Sequence, residues 1–126
     1  MLIIALCNDI GEIKKSKSLK NYNVLTEERN MQDFFYDYRD NFSSFDTYWL
    51  LDPYKDIELK KEKLTDIEKF AQSLYDFAKN LDLKEENKII EKYNLSKIKL
   101  KTYGKKLKAL ARLATEKNMT LVGLGD

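Results

Sequence analysis

The sequence predicts an α/β fold: a single small domain, with a central sheet of about three to five strands flanked by about three to four helices. Three observations carry that reading. Leu2-Ile3-Ile4-Ala5-Leu6-Cys7 and Met119-Thr120-Leu121-Val122-Gly123-Leu124 are unbroken apolar runs of strand length, the pattern of strands buried on both faces. Between them, Ile67, Phe70, Ala71, Leu74, Phe77, Ala78 and Leu81 recur along one face of a helix. The 126 residues, 43% hydrophobic and 35% charged with only four Gly and one Pro, suffice for one core and fall short of two ordinary domains.

Taken in order, the first run ends in the turn residues Asn8, Asp9 and Gly11 and is expected as a central strand. Residues 12–25, with Lys14, Lys15, Lys17 and Lys20 among Ser and Asn, show no period and are expected as a loop with room for a short edge strand. Thr26 is placed to cap a helix over residues 27–40, with Glu27 and Glu28 in its first turn and Met31, Phe34, Phe35 and Tyr38 at helical spacing. Residues 45–51, aromatic and apolar before the turn signal Asp52-Pro53, predict a second strand.

Thr65-Asp66-Ile67-Glu68 has the capping-box pattern and opens the amphipathic helix. A shorter amphipathic piece is built on Ile89, Ile90 and Tyr93. Residues 95–103 fit either a helix start or a strand, because Ile98, Leu100 and Thr102 alternate with Lys97, Lys99 and Lys101. Residues 105–117 read as a helix with Leu107, Leu110, Ala111 and Ala114 inward and Asn118 at its end. The second apolar run is expected as a strand beside the first.

No apolar run approaches the about 20 residues that cross a bilayer, and the first residues lack the features of a secretory signal, so a cytoplasmic protein is expected. The lone cysteine, Cys7, sits in an apolar run and is expected as a packed thiol. With no histidine, Ser-His and Cys-His couples are excluded, and no cofactor is expected. The formal net charge of +2 argues against a nonspecific nucleic-acid binder. Charge is nevertheless segregated: nine acids (Glu27, Glu28, Asp33, Asp37, Asp40, Asp46, Asp52, Asp56, Glu58) face three bases over residues 26–58. Lysines dominate residues 84–117.

Three constellations have chemical potential. Asp9, Asp52 and Asp126 follow expected strands and, if convergent, would hold a divalent metal for phosphodiester cleavage; the plainer reading is turn chemistry. The lysines from Lys97 to Lys108, with Tyr93 and Tyr103 nearby, suit nucleic-acid phosphates or simply the wet face of a helix. The acidic stretch carries nine of the fifteen aromatics. Some of these must be core, while Tyr36, Tyr48 and Tyr54 are candidates for exposure beside acids. Exposed aromatics among acids suit docking of a basic protein, the aromatics supplying contact energy and the acids speeding encounter.

Two stretches, Phe45-Asp46-Thr47-Tyr48-Trp49-Leu50-Leu51-Asp52-Pro53 with the helix after it, and residues 107–126, resemble the small immunity proteins of bacterial contact-dependent growth inhibition and related polymorphic toxin systems. The resemblance implies a non-catalytic cytoplasmic protein that binds one cognate toxin, often a nuclease, and blocks its active site or substrate groove. These families share no fixed binding motif, so the contact surface is drawn from the residues themselves: Asp33, Tyr36, Asp37, Asp40, Asp46, Tyr48 and Asp52. A metal-dependent nuclease or phosphoesterase using Asp9, Asp52 and Asp126, and a nucleic-acid-binding accessory protein using Lys97 to Lys108, are the alternatives.

Overall fold

The computed structural model describes residues 1–16 and 18–125, so Lys17 and Asp126 lie outside the described residues. In chain order the elements are β1 (Leu2–Cys7), α1 (Ile10–Lys15), β2 (Val24–Glu27), α2 (Met31–Asp37), a 3-10 turn (Arg39–Asn41), α3 (Phe45–Tyr48), β3 (Ile57–Leu59), α4 (Glu62–Lys79), α5 (Leu83–Tyr93), α6 (Lys97–Glu116) and β4 (Thr120–Leu124). The strands form one sheet in the order β2-β1-β4-β3, antiparallel at every step. The α/β class is as the sequence predicts. β4 lies beside β1, with Ile3 opposite Leu124 and Cys7 opposite Thr120.

Side chains alternate across the sheet. One face carries Leu2, Ile4, Leu6, Leu25, Leu59 and Leu121 into the main core, where the apolar stripes of α4 and α6 and the rings of Phe34, Phe35 and Tyr48 meet them. The other face carries Ala5, Cys7 and Val122 against Ile13 of α1, with Leu19 and Tyr22 at the margin. Cover on both faces is the physical reason that β1 and β4 are apolar without interruption.

Several local expectations are corrected. Thr26 caps no helix: Thr26 and Glu27 belong to β2, paired with Ile3 and Leu2, and the helix begins only at Met31. As a strand, residues 24–27 pair with β1 and bury Leu25 in the main core, long-range contacts that the local capping pattern does not reveal. Residues 45–51 form α3 and a following turn in place of a strand. Phe45, Tyr48 and Leu51 are buried at intervals of three, a helical period that the aromatic composition masks.

Thr65 does not open α4, which starts at Glu62 because Leu64 already belongs to its buried stripe. The ambiguous residues 95–103 enter α6: Ser96 caps it by accepting from Lys99 N–H at 3.1 Å, and Leu100, Tyr103, Leu107, Leu110 and Ala114 make a continuous buried stripe. Asn118 follows the helix in the left-handed region, φ 53°, and Met119 N–H reaches back to Ala114 O at 2.8 Å, closing a Schellman motif. The loop expected at residues 12–25 holds α1, capped by Asp9 through Glu12 N–H at 2.8 Å, and the edge strand β2 begins at its end. β3 carries no sequence signal of its own beyond Ile57 and Leu59.

Helices α4 and α6 cross closely at Gly104. A Cβ there would stand 3.0 Å from Ala71 O and 3.1 Å from Tyr75 N, both backbone atoms of α4 that have no rotamer to escape into. Beside this crossing lies a buried polar chain. Tyr48 O–H donates to Glu27 Oε2, the Tyr48 and Tyr103 hydroxyl oxygens are 2.6 Å apart, and Gln32 Nε2 donates to Glu27 Oε1 at 2.8 Å. With Glu27 ionised, the single Tyr48 proton goes to the carboxylate and Tyr103 must donate to Tyr48. Burial raises the Glu27 carboxyl above its ordinary value, and the hydrogen bonds from Tyr48 and Gln32 offset part of that rise.

Three outcomes follow for stability. Gly104→Val should cost about 1–3 kcal/mol by overpacking, read as a lower urea midpoint. Tyr48→Phe should cost about 1–3 kcal/mol, because it leaves the Glu27 carboxylate short of a donor in the core. Below its ordinary value near 4.5 Glu27 is protonated in both folded and unfolded chains; above that, up to its raised folded value, only the unfolded chain loses the proton. Glu27 therefore withdraws stability as pH climbs through that window. The urea midpoint of Glu27→Gln relative to wild type should rise as pH climbs above about 4.5, and a flat difference would mean that burial does not raise the Glu27 carboxyl.

Candidate functional site

The nine aromatics of residues 26–58 separate by the geometry of two short helices. Phe34, Phe35, Phe42, Phe45 and Tyr48 are buried and Tyr38 is half-buried. Tyr36, Trp49 and Tyr54 remain 48%, 38% and 81% exposed. The rings of Tyr36 on α2 and Trp49 at the end of α3 meet with centroids 5.5 Å apart. The Arg39 guanidinium lies 4.2 Å over the Tyr36 ring and donates through Nη1 to Tyr36 O at 2.7 Å. Trp49 is backed by Phe45, stacked at 5.0 Å, and Leu50 stands exposed next to it. A solvent-facing aromatic pair is thus held from behind by a buried ring and from one side by a cation.

Acids neighbour this pair in sequence, Asp33 and Asp46 at helical spacing and Asp40 in the 3-10 turn after α2. Asp33 precedes Tyr36 by three residues, Asp40 follows it by four, and Asp46 precedes Trp49 by three; all three acids are exposed. The acidic face continues into a hollow of about 580 Å³ whose wall includes Asp33, Glu28, Arg29, Gln32 and Tyr54, with the buried Glu27 at its floor.

Of the seven sequence-selected residues, Tyr48 lies elsewhere than expected, and Asp37 and Asp52 are engaged within the fold. Tyr48 is buried completely, turned inward to Glu27 and Tyr103, and offers no surface to a partner. Asp37 is exposed but engaged: it accepts from the Tyr93 hydroxyl and pairs with Lys92 at 3.6 Å. The Tyr93 bond is the main reason that its carboxyl lies below the usual range. Asp52 is half-buried in the turn after α3, follows no strand, and accepts from Tyr54 N–H at 2.8 Å. Conversely, Trp49, Leu50 and Arg39 join the patch. For Trp49 and Leu50 the signal is the three-residue interval of Phe45, Tyr48 and Leu51, which as a helix turns both outward; Arg39 has no such signal.

The strand-end carboxylates are separated by the antiparallel topology. The chain leaves β1 beside Thr120 and leaves β4 beside Ile3, so Asp9 and Gly125 stand at opposite ends of the sheet, about 15 Å or more apart at strand rise. Asp126 lies outside the described residues. Among the described residues no three Asp, Glu or Cys side chains are grouped as metal ligands would be. Asp9 serves as the cap of α1. Cys7 is packed as expected: burial, then the nearby acids, push its thiol up to about 11, and its S–H meets Asp9 O at 3.2 Å.

Of the lysines from Lys97 to Lys108, several are tied within the fold. Lys97 donates to Leu81 O, Lys99 pairs with Glu28 at 3.3 Å, and Lys108 donates to Gln72 Oε1. Lys105 and Lys106 stay exposed. Among the described residues, no helix is long and apolar enough to cross a membrane. Comparison with known proteins adds no relative to this picture: no family model matches the chain, and neither the curated proteins nor the solved structures contain a significant match.

Proposed function

We propose that this chain is an immunity-type inhibitor that binds a cognate protein toxin, a nuclease domain with a basic surface, and occludes its active site or substrate groove. The observation that carries the reading is the Tyr36–Trp49 pair standing exposed between Asp33, Asp40 and Asp46. Aromatic side chains already braced by their neighbours lose little freedom on binding and supply the central contact energy of an interface. Carboxylates around them raise the rate of encounter with a cationic groove and take the positions that nucleic-acid phosphates would occupy there. The working surface is Asp33, Tyr36, Arg39, Asp40, Asp46, Trp49 and Leu50, and the side chains that hold it, Phe45, Tyr48 and Glu27, act from beneath. A partner of this kind uses no acid-base or nucleophilic group of the inhibitor.

The test is co-expression with the product of the open reading frame immediately upstream, read as co-purification and as growth with and without this chain. Wild type should form a complex and restore growth. Trp49→Ala should weaken the complex about 30-fold, the loss of about 2 kcal/mol typical of a central aromatic. The triple variant Asp33→Lys, Asp40→Lys, Asp46→Lys should slow association about 10-fold or more at low salt while the circular dichroism spectrum is unchanged. A toxin that binds the triple variant and wild type equally would remove this surface from the interface, and absence of both complex and protection would overturn the inhibitor reading.

A further inference from the structure

We propose that the outer edge of β2, with the groove between it and α6, is a docking site for an extended peptide segment of alternating acidic and apolar residues, which would add to the sheet as a fifth strand. This surface is separate from the Tyr36–Trp49 face, and the inference does not rest on the identity of any toxin.

The edge is free by register. β2 is the terminal strand of the sheet. Leu6 N–H donates to Asn23 O at 3.0 Å, continuing the register in which Ala5 faces Val24 and Ile4 faces Leu25. Hydrogen-bonded pairs alternate along an antiparallel ladder, so Ile4/Leu25 and Leu2/Glu27 carry the bonds to β1. The N–H and C=O groups of Val24 and Thr26 therefore point away from β1, and among the described residues no hydrogen bond reaches them. Four backbone groups in a row await a partner strand.

Beside this edge lie two shallow hollows of about 300 Å³ and about 210 Å³, with Lys106 in the wall of both, which together make up the groove. The first is floored by Ala109, Leu110 and Leu113 next to Val24. The second runs from Leu25 and Thr26 to Ile98, which is 76% exposed. From Ile98 to Leu113, α6 extends about 22 Å at helical rise, room for about six residues of a guest strand, of which the four residues of β2, about 13 Å long, would pair with only part. Apolar side chains on one face of a guest strand would rest on Ile98, Leu110 and Leu113, while its backbone pairs with Val24 and Thr26.

Charge selects the guest. Lys99 and Lys106 line the groove, and the one acid among its lining residues, Glu28, is paired with Lys99 at 3.3 Å. An acidic segment is favoured. A second copy is disfavoured, since pairing β2 with its own twofold mate would set the lysines of two α6 helices against each other.

The probe is a synthetic heptapeptide alternating aspartate and valine, titrated into the full nitrogen-15-labelled chain. Saturable shifts centred on the Val24 and Thr26 amides, with their hydrogen exchange slowed at least tenfold at saturation, are expected. A peptide with lysine in place of aspartate should bind at least tenfold more weakly, and Lys106→Glu should narrow or invert that preference. Thr26→Pro removes only an outward N–H and should abolish binding; the charge-swap variant keeps the test decisive if the proline variant unfolds. Equal binding of both peptides, or no response at Val24 and Thr26 at millimolar peptide, would overturn the proposal. So would a dimer that protects those amides without peptide, which assigns the edge to a second copy.

Discussion

The Glu27 carboxylate, withdrawn from water and met by the hydroxyl of Tyr48 and the amide of Gln32, is the point on which the remaining architecture depends. It ties the edge strand β2 to α2 and α3 and, through the hydroxyl chain to Tyr103, to α6. Its influence reaches the surface by simple geometry. Tyr48 is drawn inward, so the next residue on the helical turn, Trp49, is rotated about 100° outward, where it meets Tyr36. A polar group in the core thus sets which aromatic faces solvent. Buried polar groups of this kind cost desolvation and in return allow few alternative packings, because any other rotation of α3 would strand a hydroxyl or a carboxylate without a partner.

What could be read beforehand follows from how local each cause is. β1 and β4 were legible because burial on both faces writes an apolar run into six and five consecutive residues. The stripe of α4 was legible because eighteen residues repeat one period many times, although its first turn was hidden by a capping pattern inside the helix. β2 was misread because its reason lies elsewhere in the chain: Glu27 belongs in a strand only when Tyr48 and Tyr103 are waiting for it, 21 residues away in the first case. α3 was misread because four residues give barely one period, and β-favouring aromatics outweighed the interval of three. At the surface, the acids were legible as composition, but which aromatic accompanies them required the rotation of α3. Exposure of Tyr36 was foreseen; exposure of Trp49 in place of Tyr48 was not.

The segregation of charge along the chain becomes a segregation in space only in part. Acids from the first half meet lysines from the second at Asp37 with Lys92 and at Glu28 with Lys99, at 3.6 and 3.3 Å. These exposed pairs contribute little stability, but they neutralise the acids nearest α5 and α6. Asp33, Asp40 and Asp46 stand outside these pairs and lie near the Tyr36–Trp49 pair in sequence, whereas Lys106 lies beside the β2 edge. The two exposed surfaces carry opposite sign, so a cationic partner and an anionic one would be directed to different places on the molecule.

The placement of β4 between β1 and β3 has a consequence for how the protein is made. Cys7 and Thr120 are neighbours in the sheet although more than a hundred residues of chain separate them. On the ribosome, β1 must wait on the order of ten seconds for that neighbour to be synthesised. During that interval its apolar backbone edge has β2 on one side and nothing on the other, and β3 has no strand to pair with at all. The sheet is therefore completed in a single late step, by the last strand sliding into a slot between two others. Nascent chains would be open to chaperones or to aggregation until that step.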